Sequence, residues 1–133
     1  IVPIITERSV VRWDDRRAAK LVERLDRIAR ESSMQSRRVR LPMVDAPMSI
    51  RAFLSSVPSG ESGGLVMADP EGAPLDVEHR CVLIGPEGGW SDGERRGMPL
   101  VSLPGGVLRA ETAAVAAATI LVLHRQISTT SRD

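Results

Sequence analysis

Cys81-Val82-Leu83-Ile84-Gly85-Pro86-Glu87-Gly88-Gly89-Trp90-Ser91-Asp92-Gly93-Glu94 is the stretch on which the fold turns. Residues 81–84 form a short apolar run that predicts a buried strand, and residues 85–90 form a glycine-rich loop. Ser91, with Glu94 three residues on, is the capping-box pattern that opens a helix, expected to run to about Met98. Strand, loop and helix in that order make the repeating unit of a parallel α/β sheet. Toward the C-terminus the pattern recurs. Residues 100–103 predict a strand, Pro104-Gly105-Gly106 a turn, and residues from about 110 to 126 a helix. That helix is apolar nearly all round from Ala113 to Leu123, which predicts burial on most sides, inside the fold or in a subunit interface. Upstream, residues 64–68 predict a strand closed by the turn Asp69-Pro70-Glu71-Gly72. The expected fold class is α/β, a mostly parallel sheet with helices on both faces.

Farther out, residues 1–5 (Ile-Val-Pro-Ile-Ile) read as a short buried strand. The chain opens without Met inside this run, so upstream sequence is expected. Asp14 and Asp15 offer a helix start. Ala18, Leu21, Val22, Leu25, Ile28 and Ala29 then recur at helical spacing to about residue 34. The opposite face carries Arg17, Lys20, Glu23, Arg24, Arg27 and Arg30, with Glu23 to Arg27 and Asp26 to Arg30 spaced as supportive pairs. Residues 41–44 predict a second short strand, 49–54 a helical turn or two, and 57–64 a surface loop.

Composition bounds the function. The 133 residues suit one ordinary domain, and the longest apolar stretch, 12 residues, falls short of the roughly 20 a bilayer span needs. No signal segment opens the chain. Cys81, the one cysteine, cannot form an internal disulfide and is expected to pack in a strand. With two histidines, His79 and His124, there is no zinc spacing. A cytosolic (cytoplasmic), metal-free protein follows. The net charge of +1 hides an asymmetry: residues 1–40 hold 11 basic against six acidic groups, a balance of +5, and the remainder balances at −4. The front is a candidate polyanion-facing surface, although a solvated helix face gives the same count. Three aromatic residues argue against RNA binding by base stacking.

The paired glycine loops after successive strands carry the chemistry. In parallel α/β sheets ligands bind beyond the carboxyl ends of strands, where glycine lets backbone groups come close. Neither GxxxxGK[ST] nor GxGxxG is present. Glu87 lies inside the loop, with Asp92 and Glu94 just beyond it; these charges would repel a pyrophosphate and suit a cationic or neutral ligand. On spacing alone, a structural turn and a ligand loop stay equally open. Trp90 could line the pocket or pack in the core.

Leu83-Ile84-Gly85-Pro86-Glu87-Gly88-Gly89-Trp90-Ser91, followed some twenty residues later by Val107-Leu108-Arg109-Ala110-Glu111-Thr112-Ala113, resembles the paired signature of the RsmE family. Members are SPOUT-class methyltransferases that move a methyl group from S-adenosylmethionine to N3 of a uridine in 16S ribosomal RNA. Thr6-Glu7-Arg8-Ser9, Ile28-Ala29-Arg30-Glu31, Gln35-Ser36-Arg37-Arg38 and Leu41-Pro42 resemble the family's successive segments in order. The resemblance implies a SPOUT fold with a C-terminal trefoil knot, a homodimer, and S-adenosyl-L-methionine as cofactor. It implies 16S rRNA or the small ribosomal subunit as partner. By the same resemblance residues 1–133 are a methyltransferase domain lacking its first strand and helix and the family's N-terminal PUA-like RNA-binding barrel.

Carried over by position, the cofactor site comprises Met67, Pro70, Gly85, Pro86, Glu87, Gly88, Gly89, Leu103 and Leu108. Arg8, Gln35 and Arg38 are candidates for RNA contact. Uridine N3 must lose its imino proton before it can be methylated, so the candidate catalytic groups are Arg8, stabilising charge on the base oxygens, Glu111 as base or base-orienting carboxylate, and Arg109 for a phosphate or carboxylate. Each has a plain structural alternative: a surface arginine for Arg8, a first-turn acid favoured by the helix dipole for Glu111. The family's usual Leu-Gly is Leu103-Pro104 here, and proline lacks the N–H a backbone contact would use. Two rival functions are a nucleotide-binding α/β module using residues 85–89 and a non-catalytic dimeric knotted domain.

Overall fold

The computed structural model describes residues 1–10, 13–58, 64–76 and 78–130, with the side chains of the last helix described as far as Leu123. Among the described residues the elements follow in the order β1 (Ile4–Ile5), α1 (Asp15–Gln35), β2 (Met48–Ser49), α2 (Ile50–Ser56), β3 (Leu65–Pro74), β4 (Cys81–Leu83), α3 (Asp92–Arg95), β5 (Leu100–Ser102) and α4 (Ala110–Thr130). They fall into two compact units, one of Ile1–Ile5 and Val10–Ser56, the other of Thr6–Ser9 and Val57–Asp133. Strand pairing is parallel throughout, as expected, but in two sheets instead of one: β1 with β2, and β4-β3-β5 with β3 at the centre.

In the first unit, Asp14 caps α1 by accepting from the Arg17 N–H at 2.8 Å. The helix turns its half-buried stripe of Ala18, Leu21, Val22, Leu25 and Ala29 inward, although Ile28 stays 44% exposed. The Glu23–Arg27 and Asp26–Arg30 spacings form no ion pair among the described residues, so those charges remain solvated. Arg37 closes the helix in the left-handed conformation, φ 52°, with its N–H on Met34 O and the Arg38 N–H on Ser33 O. This is a Schellman closure with arginine where glycine is usual. The strand expected over 41–44 does not form. Pro42 and Pro47 deny the ladder two donors, and pairing with the chain start begins only at Met48, beyond single bonds such as Asp45 N–H to Ile1 O. The loop expected over 57–64 lies mostly outside the described residues.

The second unit holds the principal core. Val66, Met67 and Val101 are the largest fully buried side chains, each contributing on the order of 2 kcal/mol by burial. Ala117, Ile120 and Leu121 of α4 pack against Val66, Val82, Ile84, Val101 and Leu103, covering one face of the β4-β3-β5 sheet. Burial of α4 is narrower than its composition predicts: Ala113 and Ala117 are buried, while Val115 is 68% and Leu123 51% exposed. Cys81, expected to be packed, opens β4 in an exposed position. The turn expected at residues 69–72 is real locally, since Asp69 Oδ1 accepts from the Glu71 N–H, but it does not end the strand. Ala68 and Ala73 both pair with Val101, so residues 69–72 bulge out of β3 and the ladder resumes beyond them. The third helix is also shorter than expected, a single turn ending at Arg95, two residues before Gly97, which takes φ 78°.

Candidate functional site

A cleft of about 200 Å³ opens in the second unit beyond the carboxyl ends of β4 and β5, the position where parallel sheets place ligands. Three segments build it. The β3 bulge contributes Asp69 and Pro70, the loop after β4 contributes Gly85, Pro86, Glu87 and Gly89, and the loop after β5 contributes Leu103, Val107 and Leu108 before α4 begins.

Backbone geometry sets the shape of these loops. The Gly89 N–H closes a β-turn on Pro86 O at 2.8 Å, and Gly89 itself takes φ 68°. Trp90, 5% exposed, swings back under the cleft and donates its indole N–H to Ala68 O at 2.9 Å. A Cβ at Gly85 would stand 3.0 Å from that indole, so the first glycine of the loop is what admits the tryptophan. Trp90 therefore both packs in the core and lines the cleft. In the third segment Gly105 and Gly106 take φ 99° and 76°, turning the chain so that Leu108 faces inward.

The charged residues on the cleft wall are both acidic, Asp69 and Glu87. Asp69 is held from behind by Arg95, which also pairs with Glu71. The Glu71 hydrogen bond raises the Arg95 pKa above its ordinary value, with partial burial acting the other way and the charge of Asp69 adding to the rise. Arg95 thus stays a cation through the working pH range. Among the described residues no group of acids, histidines or cysteines is placed to hold a metal ion, and no helix is long and apolar enough to cross a membrane.

Of the nine residues carried over as cofactor contacts, Pro70, Gly85, Pro86, Glu87, Gly89, Leu103 and Leu108 line this cleft. Met67 is instead wholly buried beneath it, and Gly88 faces away, its carbonyl accepting from Arg8 Nη1 at 3.0 Å. Pro104 is exposed and off the wall. Arg8 sits in the turn Thr6–Ser9, which Ser9 N–H to Thr6 O and Thr6 N–H to Ser9 Oγ hold closed. Arg109 and Glu111 are exposed at the start of α4, flanking the cleft-lining Ala110. Gln35 and Arg38 are exposed at the end of α1, in the other unit. His79 is taken up locally: its Nδ1 accepts from the Asp76 N–H. Ala68, Ile84, Gly106, Val107, Ala110 and Ala113 complete the wall without having been singled out as contacts, beside Asp69 of the Met67 to Pro70 turn and Trp90, for which lining the pocket was one of two readings. Their signal was adjacency, since each follows or flanks a strand end already marked.

Residues 1–122 match the family described as an RNA methyltransferase domain. The chain belongs to that family. Within it, the RsmE resemblance carried by residues 83–91 and 107–113 is borne out by the relatives. The ribosomal RNA small subunit methyltransferase E of Synechocystis is 33% identical over 125 residues, 84% of this chain and 40% of that protein. Two solved structures superpose on the chain. One is a Legionella pneumophila protein assigned as a methyltransferase, in complex with the cofactor SAM: TM-score 0.78, 30% identity, covering 90% of this chain and 53% of that one. The other is the ribosomal RNA small subunit methyltransferase E of Neisseria gonorrhoeae bound to S-adenosyl methionine: TM-score 0.73, 27% identity, covering 93% and 53%. This RNA methyltransferase domain thus spans about half the length of those structures and less of the Synechocystis relative.

Proposed function

We propose that this domain binds S-adenosylmethionine in the cleft and transfers its methyl group to N3 of a uridine in 16S ribosomal RNA. The observation that carries the reading is the character of the cleft wall: backbone-rich glycine loops, apolar Ile84, Leu103 and Leu108, and charge of one sign only. An adenine edge can be read by close backbone amides, and a sulfonium cation is favoured by the field of Glu87, with Asp69 adding what its pairing with Arg95 leaves. The same acids disfavour the nucleotide-phosphate reading, which wants backbone N–H groups with lysine.

When bound, the cofactor supplies an electrophilic methyl group; the chain's residues prepare the nucleophile. Arg8, fixed by one guanidinium N–H to Gly88 O, keeps further donors for the negative charge that grows on the uridine oxygens as N3 loses its proton. Glu111, on the first turn of α4, is the acceptor or orienter of that proton, and Arg109 beside it holds a phosphate or carboxylate. Gln35 and Arg38, in the other unit, are RNA contacts by this reading, in keeping with the basic balance of residues 1–40. The reading includes the trefoil knot of SPOUT proteins and pairing of two copies; exposed Val115, Val122 and Leu123 on α4 support the pairing.

Calorimetric titration with S-adenosylhomocysteine, S-adenosylmethionine and ATP tests the cofactor, and methyl transfer to small ribosomal subunits tests the reaction. Saturable binding of the two sulfur nucleosides without ATP, together with transfer, is expected. Binding without transfer returns the non-catalytic dimeric domain, and binding of ATP alone returns the nucleotide module.

A further inference from the structure

A capping box needs one oxygen of its glutamate, and Glu94 uses both. Its Oε2 accepts from the Ser91 N–H at 2.9 Å, which caps α3. Its Oε1 accepts from the Glu7 N–H, also at 2.9 Å, 87 residues away in sequence. The next residue, Arg8, donates to Gly88 O, and a Cβ at Gly88 would lie 3.3 Å from Arg8 Cβ, so turn and loop are already in contact. The turn is therefore held at two points, one on the cleft loop and one at the helix that follows it. Between them Thr6 and Ser9 bond to each other, and Thr6 is 8% exposed.

We propose that Glu94 is a positioning residue: its carboxylate fastens the Thr6–Ser9 turn, and with it Arg8, to the cleft loop, so that filling the cleft and fixing Arg8 are one coupled event. The coupling rests on the cofactor reading above; the fastening does not. Its chemical basis is acceptor count. A carboxylate offers an oxygen to each N–H, whereas the amide of Glu94→Gln has one acceptor oxygen and an NH₂ donor. That oxygen stays with Ser91, as glutamine does in capping boxes. The NH₂ group then meets the Glu7 N–H, donor against donor, and the turn is released.

Amide hydrogen exchange on the 133-residue chain reads this directly. Without ligand, the Glu7 amide should exchange about tenfold faster in Glu94→Gln than in wild type, the loss of one charged hydrogen bond, while the Gly89 amide, bonded to Pro86 O, changes little. Saturating S-adenosylhomocysteine should slow Gly89 in both proteins and Glu7 in wild type alone. Arg8→Met, which removes the second anchor and leaves the cap intact, should weaken the Glu7 response to ligand. Equal Glu7 rates in unliganded wild type and Glu94→Gln overturn the proposal. So does ligand that slows Gly89 but not Glu7 in wild type. If ligand leaves Gly89 unchanged in wild type, the cofactor reading fails instead, and the unliganded comparison still decides whether Glu94 holds the turn.

Discussion

Replacing Gly72 by alanine should cost this fold more than its one added methyl suggests. The new Cβ would stand 2.3 Å from Val101 N, 2.4 Å from Leu100 C and 2.5 Å from Val101 Cα, all backbone atoms of β5. Carbon atoms pack at about 3.5–4.0 Å, so bulge and strand must separate by roughly 1 Å. No side chain can yield in their place. Moving β5 by that much breaks the bonds that flank the bulge, Met67 N–H to Pro99 O at 2.9 Å and Leu75 N–H to Ser102 O at 3.2 Å. It also loosens Val101, 2% exposed at the centre of the core. Two bonds at about 1 kcal/mol each and overpacking at about 1–3 kcal/mol give a loss of roughly 3–5 kcal/mol. Against the about 5–15 kcal/mol typical of whole domains, that is a large fraction of the stability. Urea unfolding followed by the fluorescence of Trp90, with Trp13→Phe as the common background, measures it. With slopes of about 1–3 kcal/mol per molar, the midpoint should fall by at least about 1 M. Gly93→Ala is the matched control. Its Cβ meets only Ser91 Oγ, at 3.8 Å, inside α3, so a gain of about 0.5–1 kcal/mol is expected. A Gly72→Ala midpoint within experimental scatter of wild type would refute the account of the bulge.

Gly85→Ala should push Trp90 off Ala68 O; a red-shifted Trp90 emission in the same Trp13→Phe background and S-adenosylhomocysteine affinity weakened at least about tenfold are expected, the latter from one lost buried hydrogen bond and a deformed wall. Unaltered emission would show that Trp90 does not depend on that glycine. Arg37→Gly should raise stability by about 0.5–1 kcal/mol, because it relieves a left-handed arginine at the end of α1; a loss in urea midpoint would contradict the closure described. Asp69→Asn together with Glu87→Gln should weaken S-adenosylmethionine more than S-adenosylhomocysteine, which lacks the sulfonium charge, and raising salt should narrow the difference. Equal losses for both ligands would remove the cleft's charge from the argument. Glu111→Gln should abolish or strongly slow methyl transfer while leaving calorimetric cofactor binding intact; unchanged transfer would end the assignment of Glu111.

What could be read from the chain was what neighbours along the chain decide. Ser91 and Glu94 announced their helix, and both bonds of the capping box are present. Asp14 announced α1 in the same way. The glycine loops at 85–89 and 105–106 lie where the strand ends placed them, and seven of nine carried-over contacts fall on one cleft wall. The rest depended on approaches between distant segments. Asp69-Pro70-Glu71-Gly72 has the chemistry of a turn and makes one, yet Gly72 also abuts β5, and nothing near residue 72 signals that the ladder will resume at Ala73. The docking of Thr6–Ser9 on residues 88 and 94 spans 80 and 87 residues and turns on backbone groups, which composition cannot flag. The exposure of Val115 and Leu123 ran against expectation because periodicity reports how apolar a helix is, not how many neighbours it finds.

The bulge in β3 separates what can vary from what cannot. Val101 meets Ala68 before it and Ala73 after it, so the sheet closes over the excursion as though the four residues were absent. Asp69, Pro70 and Glu71 are then free of the ladder, and two of them face the cleft. Exchanges there would alter the charge and shape offered to a ligand at little cost to the sheet, while Gly72 alone fixes where the excursion ends. This small insert is therefore a natural place to re-tune ligand preference in a chain whose core would tolerate few other changes.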